Sequence, residues 1–213
     1  MSTKLNRDEM KHRIEIIEVC RRMYKRGYVS ATDGNISARL DKNRLLVSRR
    51  GVCKGYLIET DLLVCDYDGR PIEGGSVTSE ILLHLAVYRA RPEVTAVLHA
   101  HPPMAVACSL AGIDLTEPYL PEVLMGLGSV PTTQFAVPSS GEGALAIRDL
   151  ISKHDVIILD RHGALCVGSD IWDAFFKLER LEYAAKVILY AKCAGKLKKL
   201  SSDQIARLKN QNH

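Results

Sequence analysis

Met10, Ile14, Ile17, Cys20 and Tyr24 recur at helical spacing with charged residues between them. That period predicts an amphipathic helix from about Arg7 to Arg26, stopped at Gly27, with an apolar face that must dock on something. Downstream the period shortens toward two. Ile36 to Leu40 and Arg44 to Ser48 flank the polar turn Asp41, Lys42 and Asn43, which predicts a hairpin, and Leu62 to Tyr67 predicts a strand ahead of the Asp68-Gly69 turn. From Ser79 to Arg91 helical spacing returns, with Leu82, Leu83, Ala86 and Val87 on one face and Pro92 beyond the end.

Thr95 to His99 is a short β-prone run closed by Pro102 and Pro103, and a helix follows around Met104 to Ala111. Ser129 to Phe135 predicts another strand, and Gly143 to Ser152 another helix. Four consecutive large apolar residues, Val156 to Leu159, suit a strand buried on both faces. Gly163 to Val167 continues as strand, and Ile171 to Ala194 is the longest helical stretch. Strands and helices are interspersed, yet several strands are joined by short turns. The pattern predicts a sheet covered by helices and not purely parallel.

Composition narrows this picture. With 213 residues, 46% of them apolar, the chain suits one domain over residues 1–213 built on one sizeable core. Charged residues make up 25% and are mixed in sign, which excludes a disordered chain. The net charge of +4 is mild and reads as a solvated surface; with aromatics at 6%, no basic, aromatic-interleaved face for nucleic acid is expected. Cys20, Cys53, Cys65, Cys108, Cys166 and Cys193 lack CxxC spacing and read as small buried hydrophobes, not as a zinc ribbon or disulfide framework. The start, MSTKLNRDEMKHR, has no apolar leader, and no run approaches the roughly 18 apolar residues of a membrane span. A cytoplasmic protein without a membrane partner is expected.

Candidate chemistry begins at Leu98-His99-Ala100-His101. Alternate residues of a strand face the same side, so His99 and His101 project together as a ready chelate. An HxH pair alone is equally a structural feature. His162 changes the reading, because it ends the second apolar run directly before Gly163 and brings a third imidazole to neighbouring strand ends. Three neutral imidazoles leave a metal its double positive charge and an open position, as a catalytic site requires. His12, His84, His154 and His213 sit in charged or helical settings and are assigned no role.

Glu80 follows Thr78 and Ser79 at a helix start. It reads either as a first-turn acid favoured by the helix dipole or as a general base beside the metal. The same helix start, with its two hydroxyls, suits an anion such as phosphate. Gly34, Asn35 and Gly51 are turn residues or, alternatively, a close backbone approach and an amide donor for a ligand, with Arg49, Arg50 and Lys54 adding positive charge.

Together, Gly34-Asn35-Ile36-Ser37, Ser48 to Gly55, Thr78-Ser79-Glu80, His99-Ala100-His101 and Arg161-His162-Gly163 resemble the class II aldolase/adducin family in order and spacing across nearly the whole chain. The resemblance implies an αβα sandwich with a central, largely antiparallel sheet, assembled as a homotetramer with active sites between subunits. It implies one zinc per chain, or another divalent metal, on His99, His101 and His162, Glu80 as catalytic glutamate, and phosphate binding by Gly34, Asn35, Gly51, Thr78 and Ser79. The implied activity is aldol cleavage of a ketose 1-phosphate, of the L-fuculose 1-phosphate type, to dihydroxyacetone phosphate and an aldehyde. Such aldolases also borrow a tyrosine acid from a neighbouring subunit, for which Tyr119 is the candidate. The same family contains sugar-phosphate epimerases, methylthioribulose-phosphate dehydratases and sugar-acid phosphate decarboxylases, and adducin heads share the fold as interaction modules without catalysis. One departure stands out: Arg49 and Arg50 lie where these aldolases often carry a small hydroxyl residue.

Overall fold

Strand pairing sets the architecture. In the computed structural model, which describes residues 7–210, six strands form one sheet: β1 (Asn35–Arg39), β2 (Leu45–Ser48), β3 (Leu62–Cys65), β4 (Ala96–Ala100), β5 (Val156–Leu159) and β6 (Gly163–Gly168). Their spatial order is β3-β2-β1-β4-β6-β5, and every neighbouring pair runs antiparallel. Residues 1–6, where the lack of a leader was partly read, and His213 lie outside the described residues.

Helices cover both faces. Helices α1 (Arg7–Lys25), α3 (Pro103–Leu110) and α6 (Ile171–Ala194) pack on one side, while α2 (Ile81–Ala90) and the short α5 (Glu142–Ala146) lie on the other. The expected single core is therefore two cores, split by the sheet. The period of the strands divides them: Leu98, Ala164, Cys166 and Ile158 join the α1/α3/α6 core, and Val97, Leu165, Val167 and Ile157 join the α2 core. This is the αβα sandwich with an antiparallel centre.

The docking face of α1 is rotated from the expected one. Ile14 is 57% exposed and Tyr24 36%, while Glu9, Arg13, Ile16, Val19, Cys20 and Met23 face inward. Two charged residues occupy the buried stripe because they satisfy each other: Arg13 donates to Glu9 Oε1 at 2.7 Å and to the backbone oxygens of Glu59 and Leu62 at 2.8 and 2.7 Å. On α2 the buried face is Leu83, His84, Val87 and Tyr88 with Leu85, and Leu82 is exposed.

Three further expectations change. Ser129 to Phe135 is not a strand but runs along the free edge of β5, bridging Thr132 to Ile158 in parallel, with Ile158 N–H donating to Pro131 O. Pro131 has no N–H to extend a ladder. The helix from Gly143 to Ser152 is α-helical only over Glu142–Ala146, after which the chain tightens into turns with Arg148→Leu145 and Leu150→Ile147 bonds. Cys193 is exposed and Cys53 half-buried, although all six cysteines are free. Helices α4 (Pro121–Gly126) and α7 (Ser202–Asn210) were not anticipated. No helix among the described residues is long and apolar enough to cross a membrane.

Candidate active site

Central strand β4 presents His99 and His101 on the α2 side of the sheet, with His99 opposite Asn35 of β1 and Leu165 of β6. His162 arrives from the tight β5–β6 turn, closed by its N–H to Leu159 O at 3.0 Å and carrying Arg161 at φ 58°. The candidate ligand atoms of the three histidines all lie within 4.8 Å of one another. Gly163 makes room for them. A Cβ there would meet Ala100 O at 2.3 Å and the rings of His101 and His99 at 2.8 and 3.0 Å. Gly34, at φ 72°, is similarly required where the chain passes Val29 and the His99 carbonyl.

The donor chemistry fits a divalent metal. His99 Nδ1 donates to Ala164 O at 3.0 Å, which leaves a lone pair on Nε2, and His101 Nε2 stands 3.0 Å from it. Two imidazole nitrogens facing each other repel unless a cation or proton lies between them. Tetrahedral zinc ligands sit about 3.4 Å apart, close to this spacing. A backbone carbonyl fixing the far ring nitrogen is the usual support for a metal-binding histidine. Burial, with the neighbouring rings, pushes His101 down to about 4 and lowers His162 as well, so both favour the neutral form a metal needs.

Glu80 is the N-cap residue of α2, but its side chain makes no capping hydrogen bond. Its carboxylate turns instead to the histidines, with Oε2 3.1 Å from His99 Nε2 and Oε1 3.8 Å from His162 Nε2, and Oε2 accepts from Asn35 Nδ2 at 3.0 Å. Burial raises this carboxyl, yet positive charge at the His99 and His162 rings, which a proton or a bound metal would supply, outweighs it together with the Asn35 amide and holds it well below the usual carboxylate range. Its place at the α2 N-terminus also suits the helix dipole, which needs no capping hydrogen bond.

A cleft of about 280 Å³ opens beside these groups, lined by Asp33, Gly34, Asn35, Arg49, Arg50, Gly51, Lys54, Thr78, Ser79, Glu80, His101 and His162. Every residue expected at the phosphate site thus borders one cavity. The Thr78 N–H is spent on Ser48 O and the Ser79 hydroxyl accepts from Ser139, whereas Gly51, at φ 75°, has open space around its α-carbon. Lys54 is 2% exposed and donates to Thr32 O and Val52 O, so it braces the loop. Tyr119 is not brought here: it precedes α4 and packs against the α1/α3/α6 core of its own chain. Ser37, His84 and Tyr88, none of which the sequence gives a role of its own, form a buried polar row behind Asn35. The signal for two of them was present, since Glu80, His84 and Tyr88 are spaced four apart and share one face of a helix.

An antiparallel αβα sandwich whose central strand carries a histidine cluster beside a carboxylate defines a metal-dependent lyase of the class II aldolase type. The chain belongs to that family: the model described as Class II Aldolase and Adducin N-terminal domain matches residues 14–189. It is 31% identical over 204 residues to a 3-oxo-tetronate 4-phosphate decarboxylase of Pectobacterium atrosepticum, covering 94% of this chain and 93% of that protein. It is 34% identical over 177 residues to an L-fuculose phosphate aldolase of Methanocaldococcus jannaschii, covering 82% and 94% respectively. Among solved structures, that of YgbL from Escherichia coli superposes with a TM-score of 0.86 at 30% identity, over 95% of this chain and 99% of that one.

Proposed function

We propose that the chain, as one domain, is a zinc-dependent lyase that breaks a carbon–carbon bond beside the carbonyl of a phosphorylated ketose, releasing dihydroxyacetone phosphate. The observation that supports this reading is the convergence of three imidazoles on the Glu80 carboxylate, with His101, His162 and Glu80 on the wall of one cleft and His99 buried behind them. His99, His101 and His162 would hold the metal, which when bound polarises the substrate carbonyl. Glu80 moves the proton: it takes the α-proton of dihydroxyacetone phosphate in the synthetic direction and returns it to the enediolate carbon after cleavage. Gly34, Asn35, Gly51, Thr78 and Ser79 cradle the phosphate. One N–H of the Asn35 amide remains for it once the other is given to Glu80.

A homotetramer belongs to the same proposal. Phe176, Tyr183 and Tyr190 leave an exposed aromatic row on α6, which supports burial by further copies, and Tyr119 could act as the acid only if presented to a neighbour's cleft. A cytoplasmic location is part of the reading.

A second reading is favoured by Arg49 and Arg50. Both line the cleft, and among the described residues no carboxylate pairs with either. Two guanidinium groups beside a phosphate cradle suit a substrate with a second anion. A 3-oxo acid phosphate losing carbon dioxide passes to the same enediolate, which Glu80 would protonate. The test incubates the metal-loaded protein separately with a ketose 1-phosphate and a 3-oxo-tetronate 4-phosphate and follows dihydroxyacetone phosphate. Release with an aldehyde supports the aldolase, release with carbon dioxide the decarboxylase. Release from neither overturns both and turns the search to epimerase and dehydratase substrates. Elemental analysis of His99→Ala, His101→Ala and His162→Ala should show metal loss in each, and a metal-free wild type would favour an adducin-like interaction module.

A further inference from the structure

Behind Glu80 lies an unbroken row of hydrogen bonds inside the α2 core. Tyr88 Oη is 2.9 Å from Ser37 Oγ, Ser37 Oγ is 2.6 Å from His84 Nδ1, His84 Nε2 is 2.5 Å from Asn35 Oδ1, and Asn35 Nδ2 is 3.0 Å from Glu80 Oε2. His84 and Ser37 are 0% exposed, Tyr88 2% and Asn35 4%, so no solvent substitutes for a missing partner. Burying four polar side chains is costly unless each is satisfied.

The direction of the row follows from its end. An ionised carboxylate only accepts, so Asn35 must turn its NH2 toward Glu80 and its oxygen toward His84. Nε2 of His84 must then donate, Nδ1 must accept from the Ser37 hydroxyl, and Ser37 must accept from Tyr88. Burial favours the uncharged forms this needs, pushing His84 down to about 3 and the Tyr88 phenol up. With the opposite polarity, the Asn35 carbonyl would face the Glu80 carboxylate, oxygen against oxygen.

We propose that His84 is a positioning residue for Glu80: as the Nε2–H tautomer it fixes the Asn35 amide so that Oε2 is occupied and Oε1 is left for the substrate's proton. This rests on the reading of Glu80 as the base. The hydrogen bonds of His84 go to Ser37 and Asn35 and to no metal-ligand histidine, so its hold on Glu80 runs through Asn35.

The test has two arms. In the first, the full-length protein labelled with ¹⁵N-histidine is observed by long-range ¹H–¹⁵N correlation, without substrate. His84 should show a protonated Nε2 and a bare Nδ1 across neutral pH; an Nδ1–H tautomer or a doubly protonated ring overturns the proposal. In the second, metal-loaded His84→Gln and His84→Asn are compared for exchange of the α-proton of dihydroxyacetone phosphate with deuterated solvent. Gln carries its amide nitrogen to the Nε2 position and keeps the donor to Asn35, whereas Asn reaches only the Nδ1 position. Misplacement of the base should lower kcat in His84→Asn by about 10- to 100-fold with KM nearly unchanged, and His84→Gln should restore most of it. Equal losses in both variants, or a loss confined to KM, overturns the positioning role. Should His84→Asn fail to fold, Ser37→Ala removes only the hydroxyl that donates to Nδ1; the Nε2–H tautomer should persist, because Asn35 Oδ1 still requires it, while exchange slows as the ring loses its second anchor, and a switch to Nδ1–H or an unchanged rate counts against the proposal. No exchange by the wild type would refute the function assigned to Glu80 and leave the tautomer arm to decide the row's direction.

Discussion

The two faces of β4 carry opposite chemistry on adjacent residues. Ala96, Leu98 and Ala100 point into the α1/α3/α6 core, where the sheet meets Phe175, Leu178 and Ile16. Val97 and His99 point the other way, toward α2, where Asn35, Ser37 and His84 are buried as well. One side excludes water chiefly with apolar surface, with Glu9, Arg13 and Glu182 as its buried charges, and burial of its apolar side chains converts directly into stability. The other holds polar groups that must each find a partner, and its hydrogen bonds fix the orientation of Glu80. A strand's two-residue period lets one element serve both purposes, so the rigid face holds still what the polar face must aim.

If the faces divide labour in this way, damage to each should read out differently. The largest effect belongs to the apolar face: Phe175→Ala, at 0% exposure, should cost about 3 to 5 kcal/mol in denaturant melts while the folded fraction keeps its full metal content. Equal loss of metal would mean that the faces are not separable.

Acid should act on the polar face. His84 titrates near 6.5 when unfolded and is pushed down to about 3 in the fold, so it is neutral when folded and gains a proton on unfolding. Its contribution is complete above pH 6.5 and is lost as pH falls toward the folded value. By pH 5 the loss from this one residue should be about 2 kcal/mol, and His84→Gln should remove that part of the slope. Melts of the metal-free protein from pH 7 to 5 check the sign. A stability that rises on acidification would contradict it.

The smallest effect concerns the cap of α6 on the apolar side. Asp170 accepts from Asp173 N–H at 2.7 Å, and Asp170→Ala should cost about 1 kcal/mol with metal content and turnover unchanged.

The sheet's strands and the span of α6 were legible because their apolar runs are continuous or bounded by turns. The histidine triad was legible because HxH on a strand and a histidine closing the next apolar run leave few other geometries. The stripe of α1 was not, since Glu9 and Arg13 sit on its buried face and pairing between charged groups leaves no hydrophobic signal. His84 escaped for the same reason: a histidine on a helix looks solvated until its partners, Ser37 and Asn35 from another strand, are known. The extended segment at Thr132 and the shortened helix after Ala146 depend on which edge and cavity they cover, and local periodicity does not carry that information.

The central claim is that Glu80 moves a proton at carbon beside a metal held by three histidines. The most direct measurement is exchange of the α-proton of dihydroxyacetone phosphate with deuterated solvent, without aldehyde, in wild type and Glu80→Gln at matched metal loading. Gln keeps size and hydrogen bonding but cannot accept the proton. Exchange should fall by about 10²- to 10⁴-fold with metal content and melting temperature nearly unchanged. Exchange at the wild-type rate in the Gln variant would contradict the account and place the base elsewhere in the cleft.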